Sequence, residues 1–148
     1  MKLAHALIAK SIADTILVGS LAVGFFFYTF PPSFKGWDEV QPHSISGWAV
    51  NQFAPFERVN VQLFIDGEFV ATAKADLSRP DVMAAGWTND EWHGYAFAVS
   101  GFSAGVHTAR VYALHSSGGG VRASLQMLGD PASFLVAPDG SLRPALHK

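Results

Sequence analysis

Val59-Asn60-Val61-Gln62-Leu63-Phe64-Ile65-Asp66-Gly67-Glu68-Phe69-Val70-Ala71-Thr72-Ala73-Lys74-Ala75 is the stretch that decides how most of this chain is read. Val59, Val61, Leu63 and Ile65 alternate with Asn60, Gln62 and Phe64, the two-residue period of a half-buried strand. Asp66-Gly67 follows, a favoured pair for a two-residue hairpin turn, which needs positive φ at both positions. Glu68 to Ala75 then returns as the partner strand.

The same pattern recurs on both sides. Ser44 to Val50 reads as a strand, and Asn51 to Phe56, with Pro55, as a loop. Ser78-Arg79-Pro80-Asp81 reads as a helix start: Ser78 can cap, Pro80 fits the first turn, and Asp81 lies three residues on. Gly86 ends that helix, and Trp87 to Glu91 is a polar and aromatic loop. Gly94–Ser100, Val106–His115, Val121–Leu128 and Ser133–Val136 are further strands, with Ser116 to Gly120 a glycine turn. The pattern predicts a mainly β domain over residues 43–137, a seven-stranded antiparallel sandwich of immunoglobulin-like size. Residues 31–42 read as a linker, with Phe34 and Trp37 at the lipid headgroups, and 138–148 as a loose tail.

Ahead of the sandwich, Ile12 to Phe30 is a largely apolar run with a single charge, Asp14. As a helix it rises about 28 Å at ~1.5 Å per residue, close to a hydrocarbon core of roughly 30 Å. Pro31-Pro32 stops it. Residues 1–30 are therefore expected to form one transmembrane helix. Lys2 and Lys10 precede the run, which places the N-terminus in the cytoplasm and the sandwich in the periplasm or outside the cell, across a bacterial inner membrane. A cleaved signal peptide is the competing reading. The run ends in Phe-Phe-Phe-Tyr-Thr-Phe, an aromatic belt rather than a small-x-small cleavage site. Lys10 and Asp14, four apart, are expected to pair at the interface. Ser20 and Gly24, beside Gly19, form a small-xxx-small pair that permits close helix approach, a pattern that also arises by chance in single spans.

Composition narrows the chemistry. The chain has no cysteine, so disulfides, thiolate nucleophiles and Cys-ligated metal centres are excluded. Taking Lys2, Lys10 and Asp14 from the totals of 10 Lys/Arg and 12 Asp/Glu leaves the rest of the chain near −3, with no basic face for nucleic acid. His107 and His115 share a strand but lie about 27 Å apart at ~3.4 Å per residue, too far to share an ion. His43 and His93 read as turn and surface residues. Asp76, Asp81, Asn89, Asp90 and Glu91 have no calcium-loop spacing and suit turns and caps. There is no Gly-x-Ser-x-Gly elbow, and a sandwich this small has little room for a cleft between paired carboxylates. No metal, cofactor or catalytic residue is expected.

Four spaced motifs carry a resemblance: Gly47-Trp48-Ala49, Ile65-Asp66-Gly67, Ala75-Asp76-Leu77-Ser78-Arg79-Pro80-Asp81-Val82 and His93-Gly94-Tyr95-Ala96-Phe97. In this order, over roughly residues 43 to 136, they resemble a small bacterial immunoglobulin-like β-sandwich accessory module of cell-surface and glycan-related proteins. The resemblance implies a non-catalytic domain and supplies no ligand. This chain departs from the pattern by its membrane anchor and by Trp87 and Trp92 before His-Gly, where the module is polar and glycine-rich.

Trp48 is expected in the core, with Trp87 covering the end of the sandwich. Trp92 is the expected contact residue, since an exposed aromatic can stack on sugar rings or anchor a protein interface. The function so indicated is an accessory or structural subunit of a larger membrane complex, of respiratory or photosynthetic type by analogy. Its contacts would be with the lipid bilayer and with other membrane-protein subunits through Ser20, Gly24, Trp87 and Trp92. The alternative is a membrane-tethered glycan-binding module of the cell envelope. Intact-mass measurement of protein extracted from membranes checks the anchor: the mass should include residues 1–30, whereas a mature form beginning near Pro31 would mean a signal peptide.

Overall fold

The computed structural model describes residues 2–29, 33–117 and 122–145. The Pro31-Pro32 stop, Gly118 to Gly120 of the predicted turn and the end of the tail lie outside the described residues. The chain divides into two compact units, 1–31 and 32–148.

The first unit is α1 (Lys2–Thr29). Its segment Ala4–Phe25 is long and apolar enough to cross a membrane. Lys10 Nζ meets Asp14 Oδ2 at 2.8 Å, one helical turn away, so the two charges partly neutralise each other at the edge of the apolar run.

The second unit is two antiparallel sheets packed face to face. One has the order β1-β2-β6-β5, from β1 (Phe34–Gln41), β2 (Ser44–Asn51), β5 (Leu77–Ser78) and β6 (Trp92–Ala98). The other has the order β4-β3-β7-β8-β9, from β3 (Asn60–Ile65), β4 (Glu68–Lys74), β7 (Gly105–Ser117), β8 (Arg122–Val136) and β9 (Leu142–Pro144). A short helix α2 (Pro80–Ala84) lies between β5 and β6.

The β3–β4 hairpin forms as its sequence predicts. Asp66 and Gly67 take φ of 52° and 88°, and Val61, Leu63 and Ile65 are buried. Beside them on the same sheet face are Ala109, Val111 and Ala113 of β7, and the other sheet supplies Ile45 and Ala49 of β2 and Tyr95 and Phe97 of β6, all in one core. The Asp66 carboxylate also accepts from the Thr108 backbone N–H at 2.9 Å, which pins the turn to β7.

Nine strands are described where the pattern predicts seven. Phe34–Gln41, read as linker, is β1 and pairs along its whole length with β2. Its inward positions are Phe34, Gly36, Asp38 and Val40, and two of these four are not apolar, so no strand period shows. Phe34 is a core residue, 6% exposed, and not a headgroup residue. The two strands predicted over 121–136 are one, β8, with Gly129-Asp130-Pro131 bulging opposite Arg110 of β7; Gly129 takes φ 61° there. The tail is tied down from Leu142, which is buried while its N–H donates to the Pro42 carbonyl at 2.7 Å. At α2 the N-cap is Arg79 with no side-chain cap, and the Ser78 hydroxyl donates instead to Glu91.

The sheets are stitched together at one edge by a side chain. Gln126 Nε2 donates to the Phe34 carbonyl at 2.9 Å, and its Oε1 accepts from the Phe34 N–H at 3.0 Å. Within the β1-β2-β6-β5 sheet, the row Asp38–Gly47–Tyr95 points inward. A Cβ on Gly47 would collide with the Trp37 carbonyl oxygen and lie 2.6 Å from Tyr95 Oη. Gly47→Ala should therefore lower stability by about 3 kcal/mol or more, the upper end for an overpacked core, because one of the two clashing groups is backbone. Thermal unfolding checks this, and a shift of only a degree or two would show that the row has slack.

Candidate functional site

Register decides which side chains face out. Ile45, Gly47 and Ala49 of β2 point into the core, so Ser44, Ser46 and Trp48 point away from it. In β6 His93, Tyr95 and Phe97 are buried, so Trp92, Gly94, Ala96 and Ala98 face out. Trp37 is the direct partner of Trp48, Trp48 of Gly94, and Gly94 of Leu77. Trp48 is thus a half-buried residue of the outer face rather than a core residue, contrary to its sequence reading. What covers it is Trp87, with ring centroids 6.1 Å apart at 32°. Trp37, Trp87 and Trp92 are 58%, 45% and 47% exposed. The predicted contact residues Trp87 and Trp92 therefore stand on a face that two further tryptophans share. The residue at Gly94 leaves room for Arg79, whose Cγ lies only 2.8 Å from where a Cβ would be.

Charged groups border this face. Arg79 grips Asp81 with two bonds, Nε to Oδ1 at 2.8 Å and Nη2 to Oδ2 at 2.7 Å. That guanidinium holds the Asp81 carboxyl down to about 2.

A second cluster fixes the loops beside it. Arg58 donates from Nη1 to the Phe56 carbonyl at 3.2 Å and from Nη2 to Asp90 Oδ2 at 3.1 Å. Its Nη1 also lies 3.2 Å from Nε2 of His93, which is wholly buried. Burial and the Arg58 charge hold the His93 pKa below the ordinary imidazole range, so the neutral ring accepts from the guanidinium. Asp90 also accepts from the Trp92 backbone N–H at 2.9 Å, and the Thr88 hydroxyl donates to the Asp90 carbonyl. The sequence reads His93 as a turn or surface histidine, whereas it is buried at an inward position of β6; its alternation with Tyr95 and Phe97, three residues after Asp90, is the signal for this.

The other predicted residues are not gathered here. Ser20 and Gly24 lie on α1, and a Cβ at Gly24 would meet nothing within 4 Å. His107 sits at the far end of the sandwich, its Nδ1 2.6 Å from Asp66 Oδ2. Among the described residues no group of three His, Cys, Asp or Glu could hold a metal. No family model, curated protein or solved structure matches the chain.

The outer face of the five-stranded sheet is also apolar in part, with Phe64 packed edge-on against Phe69 and Tyr112, and Met127 opposite Tyr112. Arg110 lies directly opposite Phe64 there, and the strands of this sheet carry no tryptophan.

Beside Trp37 a cleft of about 380 Å³ is lined by Asp38, Glu39, Asp130 and Ser133 among others. Asp38 is 8% exposed, and its Oδ2 meets no hydrogen-bond partner. Burial, and secondarily the charge of Asp130, push its pKa up to about 6. The folded chain thus holds this proton until about pH 6, whereas the unfolded chain releases it near pH 4. Between those values the native state binds more protons, so Asp38 makes stability fall as pH rises, and the cost is complete above pH 6. Asp38→Asn should therefore stabilise the protein at pH 7.5 by roughly 1–3 kcal/mol, and the difference should vanish near pH 4. Melting curves of both proteins across this range check it; equal melting points at pH 7.5 would mean the carboxylate is solvated.

Proposed function

We propose that this chain is a non-catalytic single-pass protein of a bacterial inner membrane. α1 is its uncleaved anchor with the N-terminus in the cytoplasm, and the sandwich stands in the periplasm or outside the cell. The sandwich, an immunoglobulin-like accessory domain, binds a subunit of a larger membrane complex through the outer face of the β1-β2-β6-β5 sheet. Lys2 and Lys10 ahead of the span support the orientation. The observation that carries the binding reading is the gathering of Trp37, Trp48, Trp87 and Trp92 on one sheet face, three of them about half exposed. Exposed tryptophan is enriched where interfaces concentrate their energy. Ser20 and Gly24 supply a second contact within the bilayer, where small residues allow helices to approach closely.

A second reading draws on the same face. Tryptophans on a sheet face beside the Arg79–Asp81 pair and Glu39 present both stacking surface and hydrogen-bonding groups, which suits a glycan of the cell envelope.

Native mass analysis after gentle detergent extraction tests the first reading. Trp37→Ala and Trp92→Ala should melt within a few degrees of the parent, because both side chains are exposed, yet lose about 30-fold or more in association, as truncation of an interface anchor costs ~2 kcal/mol or more. If both variants stay in the complex at parental occupancy, this face is not the interface. If they lose retention on immobilised glycans instead, the second reading holds.

A further inference from the structure

Two large apolar side chains stand out because nothing about their loop explains their exposure. Phe53 and Phe56 are 69% and 68% exposed. Their loop is not loose. Asn51 Oδ1 accepts from the Phe53 N–H at 3.1 Å, and the Asn51 carbonyl accepts from the Ala54 N–H at 3.1 Å. The Ala54 carbonyl accepts from the Glu57 N–H at 2.9 Å, and Arg58 holds the Phe56 carbonyl. Successive turns, bolted through Arg58 to Asp90 and the buried His93, hold out two phenyl rings.

The place of this loop in the chain says what covers them. The Gln52 N–H donates to the Ser33 carbonyl at 2.9 Å, and the Ser33 hydroxyl donates to Gln52 Oε1 at 2.8 Å. Ser33 is the fourth residue after Thr29, the last of α1. Four residues reach at most about 14 Å, at ~3.6 Å each. The loop that bears Phe53 and Phe56 is thus bonded to a residue that follows the end of α1 by only four positions in the chain.

We infer that the loop 51–58 is a membrane-contact element, seating Phe53 and Phe56 at the boundary between headgroups and acyl chains of the bilayer that α1 spans. The inference rests on the reading of α1 as a membrane span. The sequence assigned the headgroup role to Phe34 and Trp37; Phe34 is buried in the core, and the exposed phenylalanines come from a loop that the linker-proximal pairing brings back to the same end. A phenyl ring seated about 5–10 Å into the boundary of headgroups and acyl chains is favourable because its apolar surface leaves water.

The absence of cysteine makes the test direct. The full chain is placed in phosphatidylcholine–phosphatidylglycerol nanodiscs with a single nitroxide at Glu57→Cys, between the loop and its Arg58 bolt, leaving both phenylalanines in place. Labels at Leu17→Cys and Glu68→Cys serve as references within α1 and at the β3–β4 turn. Accessibility to oxygen is compared with accessibility to a water-soluble nickel chelate. The Glu57 label should show at least a threefold higher oxygen-to-nickel ratio than the Glu68 label, and Phe53→Ser/Phe56→Ser should abolish that excess while leaving the melting point nearly unchanged. A Glu57 label as open to nickel as the Glu68 label, with the Leu17 label shielded, overturns the inference and spares the anchor. A Leu17 label open to nickel overturns the membrane reading itself, and this inference with it.

Discussion

The close approach of Tyr95 to Gly47 is the constraint on which the four-stranded sheet depends. The Tyr95 phenol lies over a residue with no side chain and donates to the Trp37 carbonyl at 3.3 Å. It thereby spans β6, β2 and β1 beneath the sheet. Gly36 makes a similar concession, since a Cβ there would lie 2.5 Å from the Trp48 carbonyl oxygen. With the inner face filled this way, the alternating positions of the same strands must point outward, and those positions are Trp37 and Trp48. The tryptophan face is therefore a consequence of how the core is packed, not an independent decoration. Burial of the Tyr95 ring also holds its hydroxyl protonated, so the donor persists throughout ordinary pH.

Arg58 plays the corresponding part at one end of the sandwich. It links the loop after β2 to the loop before β6, and both present aromatic side chains to the surroundings. Neutral His93 fits this role because a protonated ring would repel the guanidinium in a dry setting. A rigid mount loses less conformational freedom on contact than a mobile loop does, which favours binding without adding any new contact.

What was legible in the sequence follows from where two-residue alternation survives. Val61, Leu63 and Ile65 are all apolar and all inward, and Asp66-Gly67 supplies the turn, so the hairpin could be read directly. β1 was hidden because Gly36 and Asp38 occupy inward positions for reasons that exist only in three dimensions: a neighbouring carbonyl and the edge of a cleft. β9 offered a single buried side chain, Leu142, too little for any period. Trp48 reads as core because large aromatics usually go inside, and only its alternation with the inward Gly47 and Ala49 and its pairing with Trp37 show otherwise. Trp92 is recognisable as an exposed candidate from the polar loop around it, whereas Trp87, expected to cover the end of the sandwich, is about half exposed and packs against Trp48. Trp37, Phe53 and Phe56 were not singled out as part of a binding surface, since only strand pairing and the Ser33–Gln52 bonds place them.

The Gln126 clasp on Phe34 has a consequence for how the domain comes into being. The two residues are 92 positions apart, whereas β1 and β2 are joined by only two residues, Pro42 and His43. As the chain emerges from the ribosome, the β1–β2 hairpin is complete long before β8 exists to clasp it. Phe34 lacks its Gln126 clasp, and the core that holds Phe34, Ile45 and Ala49 stays incomplete, until β7 and β8 have followed. Pairings of such long range make folding slow and leave sticky intermediates exposed in the meantime. The order of the strands along the chain thus sets a waiting period during synthesis, in which the nascent domain depends on being shielded from its neighbours.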